Sequence, residues 1–62
     1  MFRLIVYNDV DQLRILYTKD FKKIKDIISY TNGFVNYNDT KKSKRTTKLY
    51  KTYKNLFQVI KV

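Results

Sequence analysis

The sequence predicts an α+β fold: an N-terminal β-hairpin, one central helix and then further antiparallel strands. Three observations carry this. Two β-rich runs flank a short polar turn near the start. A stripe of apolar residues at helical spacing follows and stops at Asn32-Gly33. The last segment is dense in Thr, Tyr, Phe, Val and Ile, residues that fit a pleated surface better than a helix.

In the opening hairpin, residues 2–7 and 12–17 are the strands and Asn8-Asp9-Val10-Asp11 the turn. Side-chain alternation places Phe2, Leu4 and Val6 on one face, with Leu13, Ile15 and Tyr17 beside them. Ile5, Tyr7 and Leu16 fall on the other face, which leaves that face either partly covered or a contact surface.

A helix is predicted over 19–31, with Thr18 as its N-cap and Asp20 in its first turn, where the dipole favours a negative charge. Phe21, Ile24, Ile28 and Thr31 make its apolar stripe, and Lys22 and Asp26 stand four apart on the opposite side. Asn32-Gly33 supplies a left-handed stop. The same dipeptide is also a strong hairpin turn, which would make Ile27–Thr31 and Phe34–Asn38 strands. The 3.6-residue stripe favours the helix.

Beyond the stop, Phe34–Tyr37 reads as a short strand, and residues 39–47, with no apolar member, as an exposed basic loop. The remainder is strand-leaning. Lys48–Tyr53 and Leu56–Val62 would pair across Lys54-Asn55, while an amphipathic helix with Leu49, Tyr50, Tyr53, Leu56, Phe57 and Ile60 in one arc is the alternative. The expected core is Leu4, Val6, Leu13, Ile15, Phe21, Ile24, Ile28, Leu56 and Ile60.

Residues 1–62 suit a single small basic domain, since a chain of this length buries only about 60% of the surface it exposes when unfolded. With neither Cys nor His, it has no disulfide and no ordinary zinc ligand set. Ala, Glu, Pro and Trp are absent too, so the imidazole, the thiol nucleophile and half of the carboxylate repertoire are missing and five Asp remain. Asp9 and Asp11 form an Asp-x-Asp pair, but no third ligand follows at a cation-loop spacing, so turn formation explains them better. A non-enzymatic protein without cofactor or metal is expected. The longest apolar run, Leu4–Tyr7, is far short of the ~18 residues of a membrane span. No signal-peptide pattern is readable, so a cytoplasmic location is expected. Residues with A/T-rich codons dominate, as in genes of phages and other mobile elements, for which the location would be the host cytoplasm.

Charge is the most pronounced feature. The chain carries 14 Lys+Arg against 5 Asp+Glu, a formal charge of +9. Residues 1–20 sum to zero and 21–40 to +1, whereas 41–62 hold eight cations and no acid. Such a block repels itself unless an anionic partner offsets it, and nucleic acid is the commonest such partner. The candidate nucleic-acid-binding residues are Lys41, Lys42, Lys44, Arg45, Lys48, Tyr50, Lys51 and Lys54. The cations would meet phosphates, and Tyr50, like Tyr53, would offer a ring for an unpaired base. Arg45 is the only guanidinium in the block, so binding is expected to be phosphate-driven and weakly sequence-selective, to DNA or RNA. The alternative is a phage-type modulator or inhibitor of a host protein, docking on an acidic surface through its basic face or apolar hairpin. Homodimerisation is compatible with either.

Overall fold

Strand β1 (Phe2–Asn8) alternates Phe, Leu and Val with Arg, Ile and Tyr, and this alternation builds the sheet. In the computed structural model, which describes residues 1–8, 14–41, 48–52 and 55–62, β1 lies between two antiparallel neighbours. These are β2 (Ile15–Phe21) and β4 (Asn55–Lys61). Strand β3 (Leu49–Lys51) pairs with the far edge of β4, giving the order β2-β1-β4-β3. Helices α1 (Ile24–Tyr30) and α2 (Tyr37–Lys41) lie between β2 and β3 in the chain. The fold is therefore α+β, with the N-terminal hairpin in place and the last segment in strands.

Leu4 and Val6 of β1 sit beside Val59 and Phe57 of β4, and Tyr50 of β3 pairs with Phe57. These five side chains face the helices and meet Ile27 of α1 and Val35 of the α1–α2 connection in one buried cluster, with Phe2 and Phe21 packed against it. Burying each aliphatic member contributes about 1.5–3 kcal/mol. Among the described residues, the other sheet face has no helix over it.

The structure revises the expected boundaries in four places. First, Thr18–Phe21 continue β2 instead of opening a helix. Thr18 pairs with Ile5, and Asp20 lies opposite Arg3, whose guanidinium donates to its carboxylate at 2.8 and 3.2 Å. The Arg3 hydrogen bond holds the Asp20 carboxyl below its ordinary range, so the pair's contribution is present at neutral pH and fades as acid titrates it. The acid predicted to cap the helix serves the sheet. Helix α1 starts at Ile24 after Lys23, which makes no side-chain cap.

Second, Phe34–Tyr37 is not a strand. Asn36 Oδ1 accepts from the Asn38 amide at 2.8 Å, the N-cap geometry that opens α2. Third, residues 39–41 of the expected loop belong to α2, and Thr40 is buried, its hydroxyl donating to the Tyr37 carbonyl at 2.9 Å. Residues 42–47 lie outside the described residues.

Fourth, five of the nine expected core residues lie outside the buried cluster. Ile24 and Ile28 flank the buried Ile27, and Leu56 and Ile60 turn away from the helices while Phe57 and Val59 turn towards them. Leu56 and Ile60 share an arc with Leu49 and Tyr53 only in a helix. In a strand they alternate with Phe57 and Val59. Ile15 is half-exposed, because it pairs with Tyr7 after a register shift that leaves Leu16 extra. Leu13 lies outside the described residues. Strand β3 spans only Leu49–Lys51, with Lys51 paired to Leu56, and residues 53–54 of the expected hairpin lie outside the described residues.

The predicted stop after α1 is present. Gly33 donates to the Ile28 carbonyl at 2.8 Å and Asn32 to that of Ser29 at 3.2 Å, a Schellman closure with φ of +56° at Asn32 and +80° at Gly33. The buried Thr31 hydroxyl donates to the Ile27 carbonyl at 2.9 Å and accepts from the Val35 amide at 3.4 Å, tying the helix end to the chain that returns to the core.

Two predictions follow from this packing. Ile27→Ala should cost about 2–5 kcal/mol in urea unfolding, and Leu56→Ala markedly less, because only Ile27 is enclosed. Gly33→Ala should cost about 1 kcal/mol although a Cβ there meets no atom within 4 Å. The penalty is the positive φ itself, and equilibrium unfolding of the variant measures it.

Candidate nucleic-acid interface

Of the eight residues singled out from the sequence, Lys41, Lys48, Tyr50 and Lys51 are described, and Lys42, Lys44, Arg45 and Lys54 lie outside the described residues. Lys41 ends α2 and Lys48 immediately precedes β3. Lys41 thus stands at the end of the helix layer and Lys48 at the start of the edge strand, which Asp39 of α2 reaches. Lys51, at the far end of β3, points to the opposite sheet face, since it pairs with Leu56.

This carboxylate comes from outside the basic block. Asp39 of α2 accepts an ion pair from Lys48 Nζ at 3.2 Å, with both side chains well exposed. The absence of acid in residues 41–62 is thus partly offset in space, and Lys48 is partly neutralised. An exposed pair of this kind contributes little to stability. An arriving phosphate competes with it easily.

Tyr50 is a correction. Its ring belongs to the core, 8% exposed, and offers no face on which a base could stack. Among the described residues its hydroxyl is enclosed with no hydrogen-bond partner. Burial pushes its ionisation upward, and the nearby Asp39 charge adds to the shift. Pairing with Phe57 made Tyr50 face inward, and Lys51, the next residue, lies on the opposite side of the strand.

The exposed aromatic rings lie elsewhere. Tyr17, Tyr30, Phe34 and Tyr37 are each more than two-fifths exposed. They lie along the helix side of the molecule, where lysines approach the rings. Lys19 Nζ stands 4.9 Å from the Tyr30 ring centre and 5.6 Å from that of Phe21, and Lys41 Nζ 5.3 Å from that of Tyr37. Lys61 Nζ stands 6.0 Å from the Phe2 ring centre. The Tyr17 and Tyr30 hydroxyls meet at 2.8 Å and brace β2 against α1. A cavity of about 310 Å³ lined by Phe2, Lys23, Ile24, Lys25 and Tyr37 opens on the same side. The Tyr37–Lys41 spacing of four on a helix and the Lys19–Phe21 spacing of two on a strand were local signals of this arrangement. Tyr30 with Lys19 and Phe2 with Lys61 come from separate elements, so no sequence window holds them.

This surface can chemically do two things: attract polyanions through its ammonium groups, and offer aromatic edges and faces to planar ligands. Among the described residues no group of His, Cys, Asp or Glu is assembled as a metal site. Tyr50→Phe should stabilise the fold by about 1 kcal/mol, because it removes an enclosed hydroxyl that lacks a partner. It should leave polyanion binding unchanged. Urea unfolding and an oligonucleotide titration measure the two effects separately.

No protein-family model matches the chain, and no similar curated protein or solved structure was found.

Proposed function

We propose that this protein binds nucleic acid through phosphate contacts, with weak sequence selectivity, and that it is not an enzyme. The observation that carries the reading is the segregated charge: eight cations in residues 41–62 with no acid among them. Asp39 is the carboxylate that pairs into this block among the described residues. Binding a polyanion relieves the self-repulsion of such a block and releases counterions from the partner. Lys41, Lys42, Lys44, Arg45, Lys48, Lys51 and Lys54 supply the phosphate contacts. Tyr50 drops out of the set, and the exposed Tyr30 and Tyr37 beside Lys19 and Lys41 take over the aromatic role. The A/T-rich coding and small size suit a phage or mobile element acting in a host cytoplasm.

The test is a fluorescence-anisotropy titration with DNA and RNA oligonucleotides of unrelated sequence at several salt concentrations. Affinity should fall steeply with salt and differ little among sequences. Lys42→Glu combined with Arg45→Glu should weaken every ligand alike and reduce the slope of log affinity against log salt by roughly one per lost contact. The fold should survive, as checked by circular dichroism, because surface changes of this kind usually stay within about 0.5 kcal/mol. Absence of binding at low salt would overturn the proposal. Recovery of one stoichiometric acidic protein after nuclease treatment would then move the basic surface to a protein partner.

A further inference from the structure

The sheet has two faces, and α1 and α2 cover one. Its other face displays Ile5 and Tyr7 from β1, Leu56 and Ile60 from β4, Ile15 and Leu16 from β2, and Leu49 from β3. Ile15, Leu16 and Leu49 are 50–53% exposed. The polar groups of this face are largely satisfied within it. The Tyr7 hydroxyl donates to Gln58 Oε1 at 2.7 Å, and Arg3 is held by Asp20. Among the described residues, the face between β2 and β3 carries the Arg3–Asp20 ion pair and, at its rim, Lys51, in a chain of net charge +9.

That distribution narrows what covers the face. Among the described residues it lacks the cluster of cations that would attract a phosphate backbone or an anionic lipid headgroup, and the large net charge that would select an acidic or basic protein. A flat, neutral, branched-aliphatic surface is complementary to another of the same kind, with two sheets stacking about 10 Å apart. We infer that this face packs against the same face of a second copy, forming a two-fold symmetric dimer.

Electrostatics permits this pairing. Lys23 and Lys25 line a cavity with Phe2 and Tyr37, and Lys41 ends α2, all on the helix side of the sheet, away from the contact. Seven-residue strands at 3.3 Å rise and four strands 4.8 Å apart outline on the order of 400 Å² per copy. Two copies then cover about 800 Å², the size of a weak or transient contact, so the dimer should form in a concentration-dependent way. The thin core of a chain this short leaves room for added burial to matter. A dimer would also present two outward basic surfaces to one polyanion. The pairing itself stands independently of the nucleic-acid reading.

Sedimentation velocity on the full chain from a few micromolar to a few hundred micromolar tests it. The weight-average mass should rise from 7.6 kDa towards twice that value, and should rise further at higher salt, because screening weakens the repulsion between two cationic copies. Nucleic-acid binding has the opposite salt dependence, which separates the two effects. Leu16→Lys combined with Leu49→Lys changes two half-exposed side chains and leaves the helix-facing core intact. It should hold the mass at the monomer value while circular dichroism and low-salt oligonucleotide binding persist. Lys42→Glu with Arg45→Glu should dimerise at least as well as the parent chain. A parent chain that stays monomeric throughout, or a Leu16/Leu49 variant that associates as the parent does, would overturn the inference.

Discussion

The structure depends on the antiparallel pairing of β1 with β4. Seven consecutive positions pair, from Phe2 with Lys61 to Asn8 with Asn55, and Val62 donates one more backbone bond to the Met1 carbonyl at 2.9 Å. This ladder joins residues more than forty positions apart, so its loop-closure entropy must be offset by what it assembles. What it assembles is the core: Leu4 and Val6 on one strand, Val59 and Phe57 on the next. Strands β2 and β3 are outer additions to this pair, and the helices exist chiefly to cover it. Ile27 is the apolar side chain that α1 buries completely, and Val35, just beyond the left-handed stop, supplies the next.

From that central pair comes the separation of roles between the two sheet faces. Alternation sends Arg3, Ile5 and Tyr7 away from the helices, and pairing carries the same parity to Thr18, Gln58, Leu49 and Lys51. The helix side collects lysines over aromatic rings, while the open side is apolar and nearly neutral. One strand period thus yields a cationic surface suited to polyanions and an opposing surface suited to burial. The ion pair of Arg3 with Asp20 and the hydrogen bond of Tyr7 with Gln58 join polar groups of the open side to one another.

The Tyr50 ring shows how the same parity governs the candidate site. In sequence it lies between lysines and reads as a stacking platform. In the sheet it faces the core, while Lys51 faces the other way. The aromatic groups that do meet ammonium ions, Tyr30 with Lys19 and Phe2 with Lys61, come together across elements. Asp39 reaches Lys48 from α2 in the same manner.

By itself the sequence determined the features that rest on local chemistry. The alternation of Phe2 to Tyr7 made a strand, Asn32-Gly33 closed a helix, the Thr- and Val-rich last segment resisted helix formation, and the charge block stood out without any geometry. Tertiary structure decided what depends on partners. Thr18–Phe21 are compatible with a helical first turn or a strand end, and Arg3 across the ladder selected the strand. Phe57 and Val59, not Leu56 and Ile60, became core because the β1 ladder fixed which side of β4 meets the helices. Both sets are equally apolar and one residue out of phase, so no local property distinguishes them. Only the register of a strand pairing can assign one to the interior and leave the other on an open face.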